Sequence, residues 1–104
     1  MISYKVSLAE ASEKLSQHHK EFLLLFKNNT LDLELYKPHL VDKQTPHDRD
    51  EVYIIASGEA TFELEGEQMM VKTGDFLFVP AYSIHKFVQF SEDFSTWVLF
   101  FGPS

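Results

Sequence analysis

The sequence predicts an all-β protein, a barrel or sandwich of about eight short strands behind one short N-terminal helix. Three observations carry this. From residue 22 onward the apolar pattern has a period of two, and turn signals recur about every eight to ten residues. Ten Phe, four Tyr and one Trp against three Met weight the core towards flat side chains that favour strands. Helical periodicity is confined to one stretch near the front.

That stretch opens on a capping box, Ser7 followed by Glu10, in which each side chain satisfies an orphan amide of the first turn. Leu8, Ala11 and Leu15 then form one narrow apolar stripe. His18, His19 and Lys20 stand where the helix should end, where cations suit its dipole; adjacent histidines on a helix point apart, so they read as termination chemistry. Residues 1–20 are therefore expected to be a helical segment and 21–104 the barrel, together one domain, since the length leaves little room for a second core.

The strands follow in order. Phe22 to Lys27 is a short apolar run, Asn28-Asn29 turns the chain, and Leu31, Leu33 and Leu35 alternate with Asp32, Glu34 and Tyr36. Residues 38–50 form the longest connection, since Pro38 and Pro46 are both incompatible with a central strand. Strands are then expected over 51–56, 60–64, 68–72, 76–79, 84–90 and 94–101, with turns at Ser57-Gly58, Gly66-Glu67, Thr73-Gly74-Asp75 and Ser91-Glu92-Asp93. Gly58 and Gly74 permit the positive φ such turns demand, and Pro80 ends a strand by withdrawing its amide.

Composition excludes several functions. A net charge of -7, with only nine Lys plus Arg, offers no cationic cluster for nucleic acid or an anionic membrane. Cysteine is absent, so disulfides and thiolate metal sites are excluded. Residues 1–8 lack a signal-peptide pattern, and the apolar run 22–26 falls far short of the roughly 20 residues a membrane helix needs. A soluble cytoplasmic protein is the expectation.

Three residues carry candidate chemistry. His47 closes the long connection, Glu51 opens the next strand, and His85 lies near the start of a distant one. Two imidazoles and a carboxylate form a donor set for Zn, Fe(II), Mn, Ni or Cu that leaves coordination sites open. On spacing alone, two surface histidines and an unrelated glutamate are an equal alternative. On their strands, Tyr53 should share a face with Glu51, and Phe87 and Gln89 with His85, while Val52 and Ile54 point outwards. Phe62, Phe76, Phe78 and Trp97 are further candidates for cavity walls. Arg49 is the only arginine, so a bidentate phosphate clamp is not expected.

From Gln44 the chain reads QTPHDRDEVYIIASGEATFE, and from Gly74 it reads GDFLFVPAYSIHKFVQF. These stretches resemble the two motifs of the cupin family: His47, Glu51 and Gly58 keep the spacing of the first, and Gly74, Pro80 and His85 that of the second. The resemblance implies a double-stranded β-helix (jelly-roll) barrel with a divalent metal on His47, Glu51 and His85, and often a homodimer. Thr45 stands where the family's first motif usually begins with another His, Tyr82 where the second has a Gly, and Gln89 where it ends on Asn. Three protein ligands are therefore expected, with Gln44 or His39 as candidates for a fourth. The function implied is binding or transformation of a small oxygen-bearing molecule, as in a dioxygenase, isomerase or lyase. Tyr53 and Tyr36 are the leading acid–base candidates, with Tyr82 and Glu34 behind them. A non-catalytic ligand- or metal-binding module and a structural barrel with a relict site are the alternatives.

Overall fold

Ser7 caps the helix as expected, its hydroxyl accepting the Glu10 amide at 3.1 Å. The computed structural model describes residues 5–42 and 44–102. Helix α1 spans Leu8–His18 and ends on His19, whose left-handed conformation (φ 52°) turns the chain away. Eight strands follow: β1 Phe22–Lys27, β2 Leu31–Tyr36, β3 Asp50–Ser57, β4 Glu59–Leu64, β5 Glu67–Lys72, β6 Phe76–Val79, β7 His85–Phe90 and β8 Ser95–Phe101. Each lies within a residue or two of its sequence expectation.

The strands form two antiparallel sheets, one ordered β1-β2-β8-β3-β6 and the other β5-β4-β7. Their inner faces enclose the main core. In the larger sheet the register stacks three inward rows: Asp32, Phe100 and Glu51; Glu34, Val98 and Tyr53; Tyr36, Thr96 and Ile55. The smaller sheet contributes Ala60, Phe62 and Phe87, all buried. Phe87 is the hub, its ring centroid 5.0 Å from Tyr53, 4.9 Å from Phe62 and 4.8 Å from Phe94. Burying each such ring stabilises the fold by about 1.5–3 kcal/mol.

The alternation in β2 has an unexpected sense. Its leucines face away from the barrel: Leu35 packs with Ala11 and Leu15 of α1, and Leu23, Leu25, Ala56 and Trp97 border that outer cluster. The polar series, Asp32, Glu34 and Tyr36, faces inward. Period-two alternation sorts residues onto two faces but does not say which one meets the main core. Trp97 accordingly belongs to the layer under the helix, on the face turned away from the barrel interior.

Phe76 and Phe78, also expected among the cavity walls, lie on the outer face of β6 and are exposed. Ile54 points outwards as expected, whereas Val52, although on the same outer face, is buried between Phe78 and Leu99 of the neighbouring strands. Gln89 does not share the face of His85 and Phe87. Phe62 pairs with Phe87 and Thr61 with Gln89, which leaves Val88 as an extra residue in β7. This bulge reverses the parity, so Phe90 turns against the core and Gln89 is exposed.

Candidate metal centre

Glu51 enters the barrel because β3 alternates and its row lies at one end of the interior. The carboxylate is 1% exposed. His85 begins β7 on the opposite sheet, paired to Leu64, and its ring is buried as well. His47 reaches the same point from the long connection. Its backbone carbonyl accepts the Tyr82 amide at 2.7 Å, and its ring stands edge-on to Phe100 at 5.1 Å. Nearby, the Ala81 amide donates to Asp50 Oδ1 at 2.9 Å. These two bonds clip the start of β3 and the His47 segment onto the turn that precedes His85. Tyr82 takes a left-handed conformation (φ 67°) to make its bond, at the position where the family motif has glycine.

The three side chains meet. One ligand atom from each of His47, Glu51 and His85 lies within 4.8 Å of the others, an arrangement that could hold a metal ion. His47 Nε2 is 3.7 Å and His85 Nε2 2.8 Å from Glu51 Oε1. His85 Nε2 stands at ion-pair distance from Glu51 Oε1, and apart from that contact both Nε2 atoms and both Glu51 oxygens are buried without a hydrogen-bond partner. His85 Nδ1 lies 2.9 Å from the Ser83 carbonyl. A carbonyl only accepts, so the proton sits on Nδ1, and neutral His85 directs its Nε2 lone pair at a carboxylate. Three acceptor positions, both Glu51 oxygens and His85 Nε2, converge beside His47 Nε2, and only a proton or a cation relieves that. The donor set fits a divalent ion.

Burial pushes the His85 pKa down, but the Glu51 carboxylate, the Ser83 carbonyl and Asp42 together hold it above the ordinary value. The metal-free fold thus binds this proton more tightly than the unfolded chain does. The resulting stabilisation is full below the ordinary histidine range and is lost as pH rises through the folded value. Metal capture has the opposite sign, because a ligating imidazole must be neutral. From about pH 6.5 upward, therefore, the melting temperature of the metal-free protein should fall while the gain on adding metal grows. Melting curves with and without metal across that range check this; a metal-induced gain that does not change with pH would refute it.

The candidates for a fourth ligand are otherwise engaged or distant. Gln44 accepts from the Tyr53 hydroxyl at 3.0 Å and donates to Asp42 at 3.1 Å, and His39 is exposed in the long connection. Arg49 is also committed: it pairs with Asp32 at 3.3 Å and donates to the carbonyls of Thr30, Phe100 and Phe101. It braces a strand end and does not face a ligand site.

Next to the cluster, on the side of His47, a pocket of ≈ 290 Å³ opens to solvent, lined by Glu21, Phe22, Glu34, Tyr36, Gln44, Thr45, His47 and Val98. Tyr36 lines it but donates its hydroxyl to Asp42 at 2.6 Å; burial first, and that bond with it, raise its pKa. Tyr53 is fully buried behind the wall, and burial followed by the Glu51 charge pushes its pKa up well above the usual range. Both phenols hold their protons firmly. Glu34 lies in the pocket wall with its pKa raised by burial, Asp32 and Glu51. Phe62 and Phe87 are packed beneath, and Tyr82 is exposed outside.

Asp42 is the residue supporting the pocket wall that sequence reasoning missed. It is buried, and its oxygens accept from Tyr36 Oη, the Phe87 amide at 2.8 Å, the Gln44 amide at 3.0 Å and Gln44 Nε2. Its partners lie as far as 45 residues away, so nothing local announces it. Asp42→Ala should cost about 2–3 kcal/mol, because it strands a buried phenol and a buried amide. Asp42→Asn should cost less, and thermal melts of the two variants check that order.

A jelly-roll barrel with a His–Glu–His cluster at one end of its interior defines the class of protein. The chain belongs to the cupin family: the family's Cupin domain matches residues 32–100. It is 32% identical over 98 residues to an uncharacterised protein of Streptomyces coelicolor, covering 92% of this chain and 93% of that one. Among solved structures it is similar to KdgF from Halomonas sp., with a TM-score of 0.69 at 22% identity over 80% of this chain and 78% of that one. It is also similar to the DMSP lyase DddQ from Ruegeria pomeroyi, with a TM-score of 0.64 at 27% identity. That match covers 72% of this chain and 40% of the lyase. Among the described residues no helix is long and apolar enough to cross a membrane.

Proposed function

We propose that this protein holds a divalent metal on His47, Glu51 and His85 and uses it to bind and transform a small oxygen-bearing molecule in the adjoining pocket. The observation that carries this reading is the set of buried, unpartnered ligand atoms facing one another beside an open pocket. Such atoms cost stability unless something binds them. A bound ion would supply Lewis acidity to a carbonyl or carboxylate oxygen.

The chain's own residues supply the rest. Ser83 fixes the His85 tautomer, Phe100 and the Tyr82 amide fix His47, and Tyr36 and Val98 shape the wall. Glu34 is the pocket group suited to exchange a proton, since burial, with Asp32 and Glu51, raises its pKa. Of the reaction types open to such a site, a lyase is the one catalysed by a structural relative at 27% identity. Elemental analysis of the purified and reconstituted protein tests the metal. A stoichiometric ion is expected, and its absence after reconstitution would overturn the reading. Turnover on small diketones, catechols and hydroxy acids then separates an enzyme from a non-catalytic binding module, the second reading.

The proposal includes a homodimer. Ile54, Phe76, Phe78 and Phe101 lie exposed on the outer face of β3, β6 and β8, beyond the reach of α1. A contiguous apolar face of this kind favours a self-complementary contact. Light scattering should give twice the 12.1 kDa chain mass, and Phe76→Asp with Phe78→Asp should give the chain mass itself. A monomeric parent protein would refute this part.

A further inference from the structure

We infer that the pocket selects ligands whose metal-distal end carries a positive charge, with Glu34 as the main selecting residue and Glu21 assisting. The inference rests on the metal reading above for the ligand's other end. It stands on what lines the pocket and what does not.

Two carboxylates, Glu21 and Glu34, and two aromatic rings, Phe22 and Tyr36, line it together with His47. Among the described residues, no Lys or Arg lines it. Carboxylates and ring faces around one small cavity form the donor set that recognises an ammonium-type cation, by charge attraction and by attraction to the negative ring face. The same walls repel an anionic end.

Glu34 is placed to act directly. It stands on the inner face of β2, one row from Glu51, and among the described residues its side chain has no hydrogen bond or ion pair. The metal cluster adjoins this pocket: Glu51, 1% exposed and with no hydrogen-bond partner for either oxygen, lies next to His47, which lines the pocket. Glu21 is fixed at the rim, where its Oε1 accepts the His39 amide at 2.6 Å. The volume, ≈ 290 Å³, lies at the small end of ligand pockets, of which the lower bound is about 300 Å³. A compact molecule is therefore the occupant, with one oxygen donor and one cationic group.

Choline and 3,3-dimethylbutan-1-ol test this, because they match in shape and in hydroxyl group and differ only in charge. Calorimetric or NMR titration of the metal-loaded protein should show choline binding about tenfold more tightly, the factor expected for one partly desolvated cation–π and carboxylate contact. Added salt should narrow the gap. Glu34→Gln should remove most of the preference and Glu21→Gln a smaller part, with melting curves confirming that both variants fold. Equal or tighter binding of the neutral alcohol, no binding of either compound, or an undiminished preference in Glu34→Gln would overturn the inference. Metal content is measured on the same samples. Stoichiometric metal without a charge preference defeats this inference alone, and a charge preference without metal defeats the metal reading alone.

Discussion

Adding a divalent metal to the metal-free protein should raise its melting temperature by roughly 10 °C or more at about a hundredfold excess over the dissociation constant. That excess stabilises the folded state by about 2.7 kcal/mol, a large shift for a chain of this length. Glu51→Gln and His85→Ala should both abolish the gain, yet they should differ without metal. At a pH where His85 is neutral, Glu51→Gln replaces a carboxylate that faces the Nε2 lone pair by an amide that can donate to it, so there the metal-free variant should be about 1 kcal/mol more stable than its parent. His85→Ala leaves that carboxylate buried with its nearest neighbour gone, and should cost about 3 kcal/mol. Opposite signs without metal and a common loss of the metal response would identify a binding site that strains the empty protein. An undiminished response in Glu51→Gln would mean that the metal binds elsewhere.

Gly58→Ala should destabilise the protein by about 2–5 kcal/mol, the sum of a left-handed backbone penalty and an overpacking cost. Gly58 has φ +73°, and a Cβ there would lie 2.5 Å from Ser91 Oγ, 2.7 Å from Asp93 Oδ1 and 2.8 Å from the Phe94 Cα. The last of these is backbone and cannot swing aside. Around it the turns interlock: the Glu59 amide donates to Ser91 Oγ at 3.0 Å, and the Thr73 amide to the Gly58 carbonyl at 3.1 Å. Gly66 and Gly74 provide the control, since their φ values are also positive but nothing lies within 4 Å of an added Cβ. Their alanine variants should lose only about 1–2 kcal/mol, for backbone conformation alone. Denaturant melts of the three variants check the contrast, and equal losses would show that the close approach at Gly58 carries no energy.

Much of the architecture was legible because it rests on local rules. The Ser7 cap, the helix stripe, the eight period-two runs and the turns between them follow from side-chain alternation and backbone preference acting over a few residues. The spacing of His47, Glu51 and Gly58, and of Gly74, Pro80 and His85, carried the family resemblance, and the fold brings both histidines and the glutamate to one point.

Features that depend on which face meets which partner were not legible. The leucines of β2 look outwards because α1 lies there, and the polar series faces the cavity, so Glu34 became a pocket residue although strand alternation reads the same either way. One extra residue at Val88 reversed Gln89 and Phe90. Asp42 gathered partners from three parts of the chain.

The sequence by itself determined a barrel of short strands, without cysteine or basic clusters, carrying two imidazoles and a carboxylate at cupin spacing. Tertiary structure alone decided that those ligand atoms are buried and unpartnered, that Tyr53 lies behind the wall, and that the pocket mouth is lined by carboxylates and rings. The physical reason is range. Propensity and alternation act between near neighbours in the chain, whereas burial, an unsatisfied lone pair and the charge of a cavity are set by residues brought together from distant strands.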